Sequence, residues 1–269
     1  MIEDPIIRVN RQVYDTLAAN GDPLCRPATD AELADPLATV DANGWLGPSL
    51  AGKTVLCLAA GGGRQSSLYA AAGARVTVVD LSGAMLELDR QVAAERGYSL
   101  RLFQASMENL PMLANAEFDV VVQPVSTCYV PDLGPVFREV ARVTKPGGIY
   151  VSQHKQPVSL QSSIDPVGAS YQIQHAYYRN APLPPSESKS LAGCRLRERG
   201  AVEFLHRWEQ LVGGICRSGF VIEDLIEPLH AKADAERGSF AARAIYVPPY
   251  VRIKARRGGV KPVVGSLWV

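Results

Sequence analysis

The stretch KTVLCLAAGGGRQS, from Lys53 to Ser66, restricts the fold of this chain more than any other. An apolar run over residues 54–60 breaks into Gly61, Gly62 and Gly63, and a helix-forming segment comes next. A buried strand that turns through glycines into a helix N-terminus is how α/β proteins build a nucleotide cradle. Glycine lets the backbone approach a ligand closely and take a positive φ. The same turn also serves plain strand-to-helix geometry. The residues beyond Ser66 decide between a ligand site and architecture.

The chain then alternates. Residues 54–59 read as a strand, 65–72 as a helix and 75–80 (RVTVVD) as a second strand. Ser82 caps a helix over 84–96, with Met85, Leu86, Leu88 and Val92 as its apolar stripe. Strands are expected at 100–104 and 118–123 (FDVVVQ). A helix is expected over 136–143, with Val136, Phe137, Val140 and Val143 on one face. Pro146-Gly147-Gly148 turns into a fifth strand at 149–153. Strands and helices at this spacing predict right-handed βαβ units and a mostly parallel sheet.

The flanks read differently. Residues 8–19 have helical spacing, Asn20-Gly21-Asp22-Pro23 breaks it, and a second helical piece covers 30–37. Residues 1–50 are thus expected as an N-terminal helical cap, or as a lid with Tyr14 facing the ligand. After strand 5 the rhythm stops. Residues 154–200 hold His154, Tyr171, His175, Tyr177, Tyr178 and a Pro/Ser-rich stretch at 181–190, an irregular insertion on the substrate side. Helical periodicity returns at 202–218, a strand is expected at 220–226, and another at 245–254. Pro248-Pro249 demotes the last to an edge or bulged strand. The domain core is expected over 51–257, with a loose tail at 258–269.

With 47% apolar and 20% charged residues, 269 residues can bury one full α/β core. The net charge of +1 gives no reason to expect nucleic acid or an anionic membrane as partner. Five cysteines, odd in number, scattered and without CxxC spacing, argue against a disulfide framework or a zinc site. With neither an apolar leader nor a run of 18 apolar residues, the expectation is a cytoplasmic protein without membrane insertion.

Four candidate features fall at strand carboxyl ends, where open α/β sheets bind ligands. The first is the glycine turn. The second is Asp80, 19 residues beyond Gly61, which can accept both hydroxyls of an adenosine ribose or act as a helix N-terminal acid beside Ser82. The third is Ser106-Met107, able to bond an adenine edge and cover its face, or simply a strand-to-helix connection. The fourth is the segment from Gln123 to Tyr129, which would face whatever reacts beside the nucleotide.

Taken together, VLCLAAGGG, VTVVDLS, QASMENLP, FDVVVQPVS and EVARVTKPGGIYV resemble a class I S-adenosylmethionine-dependent methyltransferase. More narrowly they resemble the "type 11" small-molecule group that includes quinone-biosynthesis methyltransferases. The resemblance covers residues 50–153 well and 206–228 loosely. It implies a Rossmann-like three-layer sandwich with a seven-stranded, mostly parallel sheet whose last strand is antiparallel. It implies Ala59, Ala60, Gly61, Gly62 and Gly63 against the methionine part of the cofactor and Asp80 and Leu81 at the ribose. Ser106 and Met107 would hold the adenine, and Gln123 would lie near the methionine backbone. Two positions depart from the family pattern: Cys57 stands where an acid is usual, and Ala59 where a glycine is.

Methyl transfer is an in-line displacement in which the protein aligns and desolvates the reactants and sometimes supplies a base. The implied partners are S-adenosyl-L-methionine, its product S-adenosyl-L-homocysteine and a small-molecule acceptor, with no metal, in a monomer or homodimer. His154, read as the residue just after strand 5, is the candidate general base, and Tyr129 the candidate for orienting the acceptor. Tyr171, His175, Tyr177 and Tyr178 either wall a flat substrate or form a surface loop. His206 and Trp208 read as core residues on a helix. Two rival readings are a protein that binds the cofactor without transfer and a nicotinamide-dependent oxidoreductase. For the latter, Gly61-x-Gly63-x-x-Ser66 is a poor GxGxxG.

Overall fold

The computed structural model describes residues 4–186, 188 and 190–258. The tail expected over 258–269 lies outside them apart from Gly258. The chain opens with helix α1 (Pro5–Ala19), a 3-10 turn at Pro23–Cys25, and two short helices, α2 (Asp30–Ala34) and α3 (Pro36–Val40). The single helical piece expected over 30–37 is split because Pro36 starts a new helix capped by Asp35.

The core then runs β1 (Thr54–Leu58), α4 (Arg64–Ala71), β2 (Arg75–Asp80), α5 (Gly83–Arg96), β3 (Leu100–Gln104) and β4 (Phe118–Gln123). A 3-10 turn at Thr127–Tyr129 precedes α6 (Leu133–Val143) and β5 (Thr144–Lys155). The insertion carries only α7 (Pro157–Gln161) and α8 (Leu191–Leu196) among its described residues. The chain closes with α9 (Trp208–Arg217), β6 (Phe220–Ile226), α10 (Phe240–Ala244) and β7 (Tyr250–Arg257). No helix among the described residues is long and apolar enough to cross a membrane.

Seven strands form one sheet in the order β3-β2-β1-β4-β5-β7-β6, with β7 antiparallel to both neighbours and the pairs from β3 to β5 parallel. Alternate residues of β1 enter two cores. Leu56 and Leu58 join Phe118, Phe137, Tyr150 and Ile215 on one face, whereas Val55 and Cys57 join Tyr69, Val78 and Leu86 on the other. Because strand order reverses on either side of β1, a crevice opens at its carboxyl end.

Three elements differ from expectation. β5 begins at Thr144 and absorbs Pro146-Gly147-Gly148 in a register shift opposite β4, and it continues through His154 to Lys155. β7 starts only after Pro248-Pro249 and is an interior strand between β5 and β6, not an edge. The helix expected from 202 begins at Trp208. Residues 203 and 204 are instead held by backbone bonds to distant parts of the chain, Leu183 N to Glu203 O and Phe204 N to Cys128 O, each 2.7 Å.

Candidate active site

The crevice holds a cavity of about 520 Å³, lined at one end by Ala59, Ala60, Gly61 and Gly62. Its floor is the turn out of β1. Ala59 takes a φ of +50°, and Gly62 and Gly63 take +109° and +83°, so the chain reverses into α4 with Gly63 as N-cap. A Cβ on Gly61 would lie 2.9 Å from Met85 Cβ and 3.1 Å from the Asp80 carboxyl, so only glycine fits there. Gly63 supports the turn from beneath rather than lining the cavity.

Asp89, fully buried on α5, holds this turn from below. Its Oδ2 accepts from Gly62 N at 3.0 Å and its Oδ1 from Gly63 N at 3.1 Å and from the Ser66 hydroxyl. Burial pushes its carboxyl up to about 6 against the opposing pull of these hydrogen bonds. Cys57 lies buried under the same turn, and burial, with the Asp89 charge adding to it, pushes its thiol well above the usual range. The carboxylate beneath this turn thus comes from α5. The sequence reading missed Asp89, although its place among Met85, Leu86, Val92 and Ala93 on the buried face of α5 was a signal.

Asp80 ends β2 at the cavity wall. Its Oδ2 accepts from Gly61 N and its Oδ1 from Ser82 N, both at 2.9 Å. Burial raises its pKa, although these two N–H groups, with that of Leu81 nearby, pull it down. Each carboxylate oxygen keeps a second lone pair for a ligand donor. Ser82 caps α5 and also donates to Asp15 Oδ1 of α1 at 2.5 Å, which ties the N-terminal helix to this rim. Leu81, Ser106 and Met107 line the same region, with Ser106 Oγ donating to Glu108 at 3.1 Å. Gln123 turns the other way: its amide donates to Ser126 Oγ at 2.9 Å and contacts Met107 Sδ at 3.2 Å, while its carbonyl accepts from Tyr150 OH at 2.5 Å. Ser126, not Gln123, lines the cavity.

The opposite end is walled by Tyr14 and Asn10 of α1, Tyr129, Glu198, His230 and Tyr250. Tyr14 and Tyr129 meet edge to face with ring centroids 5.6 Å apart. Asn10 Nδ2 donates to the carbonyls of Tyr129 and Val202, each at 3.1 Å, and its Oδ1 accepts from Val202 N at 2.8 Å. The Tyr129 hydroxyl donates to Glu198, whose carboxylate also accepts from Lys155 at 2.8 Å. Neither Lys155 nor Glu198 carried a sequence signal, because they lie 43 positions apart at the two ends of the insertion.

Other sequence candidates fall elsewhere. His154 is fully buried within β5, Nδ1 on Thr127 Oγ1 and Nε2 on Ser152 Oγ, both at 2.8 Å. Burial, with His206 adding to it, drops its pKa to about 3. A neutral imidazole with both nitrogens engaged and no place on the cavity wall is not a base for an acceptor, which corrects the expectation. Tyr171, His175, Tyr177 and Tyr178 do not line this cavity; Tyr171 packs on Tyr246, and Tyr178 is exposed. His206 precedes α9 and is core, as read, its Nε2 hydrogen bonding to the Thr127 and Val130 carbonyls.

Residues 56–152 match the Methyltransferase domain family. The chain is 34% identical over 184 residues to a Bacillus subtilis (strain 168) protein named uncharacterized methyltransferase YbaJ, covering 67% of this chain and 70% of that one. It is 33% identical over 155 residues to the ubiquinone biosynthesis O-methyltransferase of Bordetella pertussis, covering 54% of this chain and 63% of that enzyme. In three dimensions it superposes on an S-adenosylmethionine dependent methyltransferase from Mesorhizobium loti with a TM-score of 0.65 at 23% identity, over 84% of this chain and all of that one. That last likeness is one of fold.

Proposed function

The chain belongs to the class I S-adenosylmethionine-dependent methyltransferases, and from that premise we propose that the cavity binds S-adenosylmethionine at its glycine end and a small-molecule acceptor at its tyrosine end. The observation that carries this reading is Asp80. A half-buried carboxylate that already takes two backbone N–H groups, and keeps a lone pair on each oxygen, suits a pair of vicinal ribose hydroxyls. The space suits the group too. Gly61 allows close backbone approach, and about 520 Å³ is within the usual range for ligand pockets, roughly 300–1,000 Å³.

When bound, the cofactor supplies an electrophilic methyl group on a sulfonium. The protein's contribution is alignment and exclusion of water. Ala59 to Gly62 and Ser126 border the space for the methionine part, Asp80 and Leu81 that for the ribose, and Ser106 with Met107 that for the adenine. Tyr129 and Tyr14 wall the acceptor. Helix α1, tied by Asp15 to one end and by Asn10 to the other, acts as a lid over a core domain spanning 51–257. Free thiols at Cys25, Cys57, Cys128 and Cys216 support a reducing, cytoplasmic setting.

Calorimetric titration with S-adenosylmethionine and S-adenosylhomocysteine, on wild type and Asp80→Ala, tests this assignment. Micromolar binding, on the order of −8 kcal/mol, that weakens about 30-fold or more in the variant is the expected result. No binding of either compound to wild type would refute the reading.

A further inference from the structure

The tyrosine end of the cavity closes on a row of ionisable groups that simple alignment does not require. Tyr129 donates its phenolic proton to Glu198 Oε2, and Lys155 Nζ donates to that same oxygen at 2.8 Å. Lys155 also donates to Glu203 Oε1 at 2.7 Å, and Arg197 pairs with the other oxygen of Glu203. Lys155 and Glu203 are buried, whereas Glu198 reaches the cavity wall beside Tyr14 and Tyr129. Burial opposes charge on Glu198, yet Lys155 and the hydrogen bonds it receives hold its carboxyl below the usual carboxylate range.

The row specifies what it can meet. Its two cations and two carboxylates balance, and the Lys155 ammonium already sits 5.6 Å over the Tyr129 ring. At this row a cationic amine finds both carboxylates already paired with cations and the Tyr129 ring already covered by Lys155. The Tyr129 proton is committed to Glu198, so its oxygen is left to accept a hydrogen bond from the cavity. The complement is a neutral group that donates and must lose a proton on methylation.

We propose that the methyl acceptor is a neutral hydroxyl compound, a phenol or enol, whose proton is taken by Tyr129 as Tyr129 passes its own to Glu198. This rests on the cofactor assignment above. The acceptor oxygen forms its bond to the methyl carbon as the carbon–sulfur bond breaks, with that electron pair left on sulfur. The acceptor's proton moves to the Tyr129 oxygen, the Tyr129 proton moves to Glu198, and Lys155 stays protonated throughout. A carboxylate is far too weak to ionise a phenol beforehand. Once the oxygen is alkylated its proton is far more acidic than a carboxylic acid, so the relay runs downhill late in the step. Glu198 is faced by Lys155 of β5, Tyr129 and Cys128 of the 3-10 turn, Tyr14 of α1, Tyr250 of β7, and Glu203.

The test measures methyl transfer to simple phenols and to the matching anilines and thiophenols, in wild type, Glu198→Gln and Tyr129→Phe, with S-adenosylhomocysteine affinity measured alongside. Thiophenols are ionised near neutral pH and need no relay. The expected result is transfer to phenols over anilines, and a phenol-to-thiophenol rate ratio that falls about 100-fold in both variants. In Glu198→Gln the phenol rate should climb about tenfold per pH unit toward the phenol's own pKa, where the wild-type profile is flat. A ratio that stays constant, a flat profile in the variant, or aniline preference would overturn the relay. So would no transfer to any phenol by protein that binds S-adenosylhomocysteine. Loss of that binding in wild type would instead fault the cofactor assignment.

Discussion

At the glycine end of the cavity the chain's own backbone makes the contacts: the N–H groups of Gly61, Gly62, Gly63 and Ser82 are collected by the carboxylates of Asp80 and Asp89. At the tyrosine end side chains do the work, with Tyr129, Glu198, Lys155, Glu203 and Arg197 bonded in a row. A backbone cradle depends on a few glycines and two acids, and tolerates change elsewhere. A side-chain row fails or changes meaning with any one member. Recognition of a common ligand suits the first arrangement, and discrimination among acceptors suits the second.

The largest effect expected from breaking this contrast is at Lys155. Lys155→Met leaves Glu198 and Glu203 facing each other without their shared cation, and breaking buried pairs in this way costs about 3–5 kcal/mol. Urea denaturation should show that loss. Adding Glu203→Leu should return part of it, a coupling that a double-mutant cycle reads directly. If the single variant is as stable as wild type, the row contributes no electrostatic specificity and the contrast collapses.

Asp89→Asn probes the other end with a smaller effect. An amide oxygen cannot serve both glycine N–H groups, so S-adenosylhomocysteine affinity should fall about tenfold, roughly 1.4 kcal/mol. Stability carries a second signature. The Asp89 carboxyl is raised from an ordinary 3.8 to about 6, so between those values the folded state holds more protons than the unfolded chain. Its contribution is therefore complete below about pH 4 and is lost as pH rises through about 6, up to about 3 kcal/mol in all. Asparagine does not titrate, so the wild-type advantage over the variant should be larger at pH 5 than at pH 7. An advantage that does not change with pH would place the Asp89 pKa at its ordinary value.

The same contrast explains how much could be read from the chain. Gly61, Asp80 and Ser106 are legible because each sits at a strand end, and strand ends are marked locally by apolar runs and turn residues. Asp89 was within reach, as an acid on the buried face of an amphipathic helix. His154 was misplaced by one strand boundary. β5 runs two residues past its expected end, and period-two alternation puts His154 on the same buried face as Tyr150 and Ser152. Glu198 and Glu203 were out of reach. Their partner Lys155 is a β5 residue, and only the path of the insertion brings them to it.

Asn10 spans the comparison and carries the smallest effect. It pins α1 to the tyrosine end through Tyr129 and Val202, while Asp15 on the same helix bonds Ser82 and Ala84 near the glycine end. Asn10→Ala removes the first anchor and leaves the second. At about 1 kcal/mol per neutral hydrogen bond, amide exchange in the first half of α1 should quicken about fivefold to tenfold, with the half nearer Asp15 less affected. Hydrogen exchange with and without S-adenosylhomocysteine then separates two roles for the helix. If α1 is a lid, the ligand slows exchange in wild type, and slows it less in the variant near residue 10. If exchange is the same with and without ligand, α1 is a fixed wall, and the cavity must admit its ligands by another side.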